Sequence, residues 1–266
     1  AVDLGTTTVV IDLVDLESGD SLERLSFENP QRFGGSDVMH RISYDGGPYK
    51  GELKKAIVTA INRAIRNLSR ARKFPRRAIY EIVVAANSSM RDLLFGLDVQ
   101  SIGQKPYKSL TEHEYLAGKR GSTELVESAW ELGIKAHRET ILYGLPLIGS
   151  HVGADAAACL TAIDMANVKD EVVMMVDVGT NTEVVLGNAN HMVAASCPAG
   201  PAFEGGVVQY GMPGYDGAIE SLKFRPDSED FDYATIGDVP PEGLCGSGLI
   251  DLIAELRRHG RMTPKG

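Results

Sequence analysis

The chain has 266 residues with 27 Lys and Arg against 36 Asp and Glu, a formal net charge of −9, and is 43% hydrophobic and 24% charged. That composition describes a globular protein long enough for two modest cores, without the run of about 20 apolar residues that would cross a bilayer. The acidic balance argues against wrapping a nucleic-acid backbone, which asks for a basic face. No leader peptide is expected from its opening residues. Cys159, Cys197 and Cys245 are odd in number, widely spaced and form no C-x-x-C pair, which predicts a reducing, cytoplasmic setting. The six His residues show no metal-ligand spacing, so any metal is expected to arrive with a ligand.

In chain order, residues 1–14 and about 21–28 read as strands, with Glu17-Ser18-Gly19-Asp20 as the turn between the later pair. With only Ala1 ahead of its first apolar strand, the chain reads as cut from something longer. Asn29-Pro30 ends the sheet. Helical patterns cover 36–44 and 52–73, the second aligning Leu53, Ile57, Ala60, Ile61, Ala64, Ile65 and Leu68 on one face. The Arg and Lys residues between Arg63 and Arg77 are most simply a solvated face. Residues 79–85 read as a buried strand running into a helix capped by Asn87.

Residues 101–124 read as a polar surface excursion, and 124–137 as a short amphipathic helix carrying Trp130. A small-residue helix follows at 152–165, with Asp155 in its first turn. From Glu171 a second lobe is expected: strand, turn, strand, an Asn188-Ala189-Asn190 hairpin, and a third strand at 191–196. After it come a glycine-rich loop at 197–206, an acidic loop-like stretch at 225–242, and Gly243–Gly248 opening an amphipathic helix to about His259. The predicted domains are therefore 1–170 and 171–266.

One pattern recurs. Val2-Asp3-Leu4-Gly5-Thr6-Thr7-Thr8 returns as Val176-Asp177-Val178-Gly179-Thr180-Asn181-Thr182, each copy an apolar strand, an Asp, a Gly-Thr turn and a second strand. D-x-G-T alone is weak and fits an ordinary hairpin. Two copies in the same context predict a pair of phosphate-binding turns gripping one triphosphate. In them Gly5 and Gly179 let phosphate approach the backbone, and Thr6, Thr7, Thr8, Thr180, Asn181 and Thr182 supply donors. Asp3 and Asp177 offer hard oxygens to Mg2+, through its waters. Asp155 is a candidate to orient an attacking water or acceptor, against the plainer reading of a helix N-terminal acid. Gly246, Ser247 and Gly248 could aim helix amides at a phosphate or ribose. Gly200 is expected to allow a similar close approach, with Glu204 as a ribose or partner contact. Glu183 reads as a surface residue and Cys245 as a small buried one.

With both turns and the Asp155 helix in place, the chain resembles the acetate and sugar kinase, heat-shock chaperone and actin superfamily of ATPases. The longer motifs resemble one branch more closely. N-P-Q-R-F-G-G-S-D-V-M-H-R-I at 29–42, V-G-A-D at 152–155, A-G-P-A-F-E-G-G at 199–206 and G-L-C-G-S-G-L-I-D at 243–251 are similar to the ATP-dependent reductive activators of corrinoid proteins. The resemblance implies an α/β fold with two actin-like, ribonuclease H-like lobes, the second incomplete at its C-terminus. It implies ATP and Mg2+ as ligands, a corrinoid protein and an electron donor as partners, a homodimer, and ATP turnover coupled to reduction of Co(II) to Co(I). Three scattered cysteines cannot build an iron-sulfur cage, which usually takes four, so the cluster is expected on a domain outside this chain. The alternatives are an activator of 2-hydroxyacyl-CoA dehydratases, a small-molecule kinase, and a non-catalytic actin-like scaffold.

Overall fold

The computed structural model describes residues 1–200, 208–225, 227–228 and 230–264. The chain forms two compact units. The larger comprises Ala1–Asp177 with Thr182–Cys197, and the smaller Val178–Asn181 with Pro198–Gly266.

The larger unit is built on six strands, β1 (Val2–Leu4), β2 (Thr8–Val14), β3 (Ser21–Glu28), β4 (Glu81–Ala86), β5 (Leu125–Ser128) and β6 (Ile141–Gly144), in the order β3-β2-β1-β4-β6-β5. Central β1 is antiparallel to β2 and parallel to β4, so Asp3 stands between Val10 and Ala85. β4 and β6 are also parallel. In sheets of this kind the carboxyl ends of the parallel strands are where ligands bind. The loops leaving β1 and β4 begin there, with Gly5 and Asn87.

Helix α1 (Val38–Asp45) and the long α2 (Glu52–Ala71) precede β4, and α3 (Ser88–Phe95) follows it. All seven residues of the predicted α2 stripe are buried. All of them but Ala60 join Val2, Leu4, Val9, Ile11, Val84 and Leu94 in one core, each large aliphatic side chain contributing about 1.5–3 kcal/mol by leaving water.

Two stretches differ from expectation. Residues 125–128 form β5 rather than a helix. Leu125, Ala129 and Ile134 are buried at a nearly helical spacing, but the backbone pairs instead with β6 and the Ala129 amide donates to the Thr140 carbonyl at 2.9 Å. Residues 101–124 are not merely surface. They contain α4 (Leu110–Leu116), capped by Ser109, with Thr111 and Glu112 turned inward.

Helix α5 (Ala154–Ala162) leads to a second sheet, β7 (Val173–Val178), β8 (Asn181–Asn188) and β9 (His191–Pro198), in the order β7-β8-β9. It repeats the strand-turn-strand-hairpin-strand sequence of β1 to β3.

In the smaller unit β10 (Ala218–Arg225) lies between β11 (Asp230–Thr235) and β12 (Gly243–Leu244), with α6 (Gly246–Arg258) packed on it. The stretch read as an acidic loop thus contains a strand. Asp230 and Asp232 alternate with Phe231 and Tyr233, which stand opposite Phe224 and Leu222. Two α6 carboxylates complete the β10 backbone, Asp251 accepting from the Leu222 amide at 3.1 Å and Glu255 from the Phe224 amide at 2.9 Å. Among the described residues no helix is long and apolar enough to cross a membrane.

Candidate functional site

The first turn is held from three directions. The Gly5 amide donates to the Thr8 carbonyl at 3.0 Å, and a Cβ on Gly5 would lie 2.6 Å from that same oxygen, so a larger residue would force the turn open. Asn29, fully buried, donates its side-chain amide to the Gly5 carbonyl at 2.8 Å and its backbone amide to the Thr7 carbonyl at 2.7 Å. Asn87 caps α3 as expected, accepting from the Met90 amide at 3.0 Å, and donates to the Thr6 hydroxyl oxygen at 3.0 Å. The Thr6 hydroxyl keeps its own proton for a further acceptor. The Gly5 amide, by contrast, is spent inside the turn.

Helix α5 starts against this loop. A Cβ on Gly153 would lie 2.5 Å from the Asn87 Cα and 2.8 Å from both the Ala86 carbonyl oxygen and the Asp155 Oδ1. The glycine therefore lets the helix N-terminus rest on the carboxyl end of β4. Asp155 Oδ1 accepts from the Ala156 amide at 2.8 Å, as a first-turn acid does.

Asp3 from β1, Asp155 from α5 and Glu183 from β8 all lie within the electrostatic reach of Asp177 from β7. Burial first, then the nearby Glu183, Asp177 and Asp3 carboxylates, together raise the Asp155 pKa to about 7 against the opposing Ala156 hydrogen bond. Asp3 keeps an exposed edge, yet the surrounding protein strips enough water to raise its pKa, with Asp177 adding repulsion. Glu183 is also raised, first by burial and then by Asp177, while the Ser196 hydroxyl donates to it at 2.7 Å and holds it down. Even the Cys159 thiol is raised, by burial and then by Asp177, Asp155 and Asp3.

Glu183 is thus a buried member of the cluster and not the surface residue expected. The alternation Glu183, Val185 along β8 carried the signal, since both face inward. Among the described residues no three His, Cys, Asp or Glu side chains converge as direct metal ligands.

In the smaller unit, the Gly179 amide donates to the Asn181 carbonyl at 3.0 Å, an internal bond one residue tighter than that of Gly5. The Thr180 carbonyl accepts from the amides of Ala199 at 3.1 Å and Gly200 at 2.9 Å. Thr182, the last residue of this motif, belongs to β8 in the larger unit. The N-terminus of α6, at Gly246, has no side-chain cap. Ser247 Oγ lies 3.4 Å from the Cys245 sulfur, and the Ile219 carbonyl oxygen occupies the place a Gly248 Cβ would take, at 2.2 Å. Gly248 is accordingly needed for packing on β10. Cys245 is buried, as expected, and points its thiol at the Ile219 carbonyl at 3.3 Å. Glu204 lies outside the described residues. The three cysteines differ in burial, Cys159 partly covered, Cys197 exposed and Cys245 buried; three cysteines do not make up the usual four-thiolate cluster set.

Comparison with known proteins adds an independent line. Residues 1–168 match the family described as RACo middle region, and residues 171–266 the family described as the C-terminal domain of RACo, the ASKHA domain. The chain is 33% identical over 268 residues to the corrinoid activation enzyme RamQ of Eubacterium limosum, covering 100% of this chain and 43% of that protein. It is 26% identical over 232 residues to a [Co(II) methylated amine-specific corrinoid protein] reductase of Methanosarcina barkeri, covering 84% and 40%. A solved structure of a reductive activator for corrinoid, iron-sulfur protein superposes with a TM-score of 0.89 at 37% identity, covering 99% of this chain and 40% of that one. The chain thus spans about two fifths of the length of these relatives.

Proposed function

We propose a function from one premise: the chain belongs to the RACo family, carrying its middle region and its C-terminal ASKHA domain. In this reading it is the ATPase and partner-docking part of a cytoplasmic reductive activator, divided near residue 170 into two actin-like lobes. ATP hydrolysis here drives reduction of Co(II) to Co(I) in a corrinoid protein. The electron passes from a donor through an iron-sulfur cluster carried outside this chain, and the assembly is a homodimer, to be checked by light scattering.

The observation that carries the reading is the mutual influence of Asp3, Asp155, Asp177 and Glu183 beside a glycine-threonine turn fixed by Asn29 and Asn87. Asp3 and Asp177 would hold Mg2+ through its waters, and the ion would neutralise phosphate charge. The Thr6 hydroxyl donates to a phosphoryl oxygen. Asp155 takes the proton of the attacking water as its oxygen bonds to the γ-phosphorus and the bond to the β-phosphate oxygen breaks. A pKa near 7 suits a general base working near neutrality, and Oδ2 is the oxygen left free by the Ala156 bond. Thr7, Thr8 and Thr182 of the larger unit are further phosphate donors in this proposal; within the smaller unit Gly179, Thr180 and Asn181 serve phosphate, Gly246, Ser247 and Gly248 phosphate or ribose, and Gly200 a close backbone approach, with Glu204 a ribose or partner contact. Coupling follows if ATP binds one arrangement of the protein better than another and the corrinoid partner discriminates between them.

The test uses the full-length protein with a reductant, ATP and its corrinoid protein, following cobalt by absorption. The Co(I) spectrum should appear only with ATP and be lost in Asp177→Asn. Reduction that proceeds at the same rate without ATP would overturn the proposal.

A further inference from the structure

Arg41 and Arg91 are both sealed from solvent, at 1% and 0% exposure. Their surroundings differ. Arg91 donates twice to Asp92 Oδ1, at 3.0 and 2.8 Å, and also to the Thr123 carbonyl, the Leu145 carbonyl and the Thr111 hydroxyl. Its charge is matched and its fork is filled.

Arg41 has only the Gly35 carbonyl, at 3.0 Å from Nε, and the Met90 sulfur, at 3.1 Å from Nη1. A thioether is a weak acceptor. Among the described residues no carboxylate lies within ion-pair distance of it, and Asp37, the acid that influences it, is already engaged by the ring and the amide of His40. A buried cation in that state is unfavourable unless something else meets it, and burial accordingly depresses its pKa to about 10. The location is informative. The Met90 sulfur also lies 3.9 Å from the Asn29 side-chain nitrogen, which donates to the Gly5 carbonyl. The guanidinium is therefore linked to the first glycine-threonine turn through Met90 and Asn29.

We propose that Arg41 is an anion-binding residue of this turn, the fixed cation that a phosphoryl oxygen of a bound nucleoside triphosphate satisfies. The inference rests on the nucleotide reading above. Among the described residues Nη2 makes no hydrogen bond, and a planar guanidinium fork suits phosphate oxygens. The carboxyls of Asp3, Asp155, Asp177 and Glu183 repel a triphosphate, so a positive charge built into the same unit offsets what Mg2+ alone would have to neutralise.

The experiment compares full-length wild type with Arg41→Met and Arg41→Lys, titrating Mg·ATP by calorimetry and recording thermal unfolding without nucleotide. Arg41→Met should weaken Mg·ATP binding about 10- to 100-fold, the range expected for losing a hydrogen bond to a charged group. Its nucleotide-free Tm should stay level or rise, because an unmatched buried charge has gone, and Arg41→Lys should recover part of the affinity. Unchanged binding in Arg41→Met overturns the inference. So does a sharp fall in nucleotide-free Tm, or a failure to fold, with Mg·ATP affinity retained in Arg41→Lys, which would make Arg41 a packing residue. If wild type itself binds no Mg·ATP, the nucleotide reading falls and this inference with it, a result distinct from a failure confined to the variants.

Discussion

The carboxyl of Asp177 raises the pKa of the Asp3 carboxyl, although 174 residues separate them in the chain. Repulsion between two acids brought together by folding has no structural benefit, so a cation is the natural partner. Asp3→Asn and Asp177→Asn should each lower Mg2+-dependent ATP hydrolysis by about 100-fold or more while leaving the circular dichroism spectrum unchanged. Activity within about threefold of wild type in both variants would refute the assignment.

Asp155 gives a pH prediction of definite sign. Its folded pKa of about 7 exceeds the ordinary aspartate value of 3.8, so the native state holds the proton more tightly than the unfolded chain. Its cost to stability is therefore complete above about pH 7, shrinks as pH falls, and vanishes below about pH 4. Asp155→Asn should stabilise the nucleotide-free protein by about 1–2 kcal/mol at pH 8, allowing for partial solvent screening, and by progressively less towards pH 5. It should also lower kcat by about 100-fold or more. Urea unfolding at several pH values measures the first effect, and a gain that grows on acidification would contradict it.

Gly153→Ala tests whether the rest of α5 on β4 places the base. The added methyl would press on the Asn87 Cα and on Asp155 itself. Overpacking of this kind costs about 1–3 kcal/mol, and a shift of about 1 Å at a reacting group costs about 100-fold in rate. We expect kcat to fall more than KM rises, with the fold retained.

Arg91 should behave as a structural charge. Arg91→Met leaves Asp92 sealed from water with a carboxyl that burial already pushes up to about 6 despite its arginine. Losing one member of a buried pair costs about 3–5 kcal/mol, so the denaturation midpoint in urea should drop sharply. An unchanged midpoint would show that the four-sided network around this guanidinium contributes little.

Much of this was legible in the chain itself because local chemistry and tertiary role coincide. The α2 stripe repeats every turn, Asn87 is followed by a helix it can cap, and the D-x-G-T turns need glycine for reasons internal to four residues. Where the two diverge, reading fails. Residues 125–134 carry apolar groups at helical intervals, yet β6 offers Leu125 a strand partner that a local pattern does not reveal. The Asp230–Thr235 strand hides its aromatic face behind two acids. Glu183 looks like any strand glutamate until β8 turns it inward beside Asp177, and Arg41, inside a motif of familiar shape, shows its isolation only when the groups around it can be counted.

Asn29 and Asn87 arrive from opposite ends of the α1–β4 region and fasten the first turn by hydrogen bonds that require no guest. Such a loop is preorganised: the entropy of ordering it is lost once, when the chain folds, and not again each time a ligand docks. Binding free energy that a floppy loop would consume in becoming rigid is then left over, available for mechanical work on whatever the protein grips next.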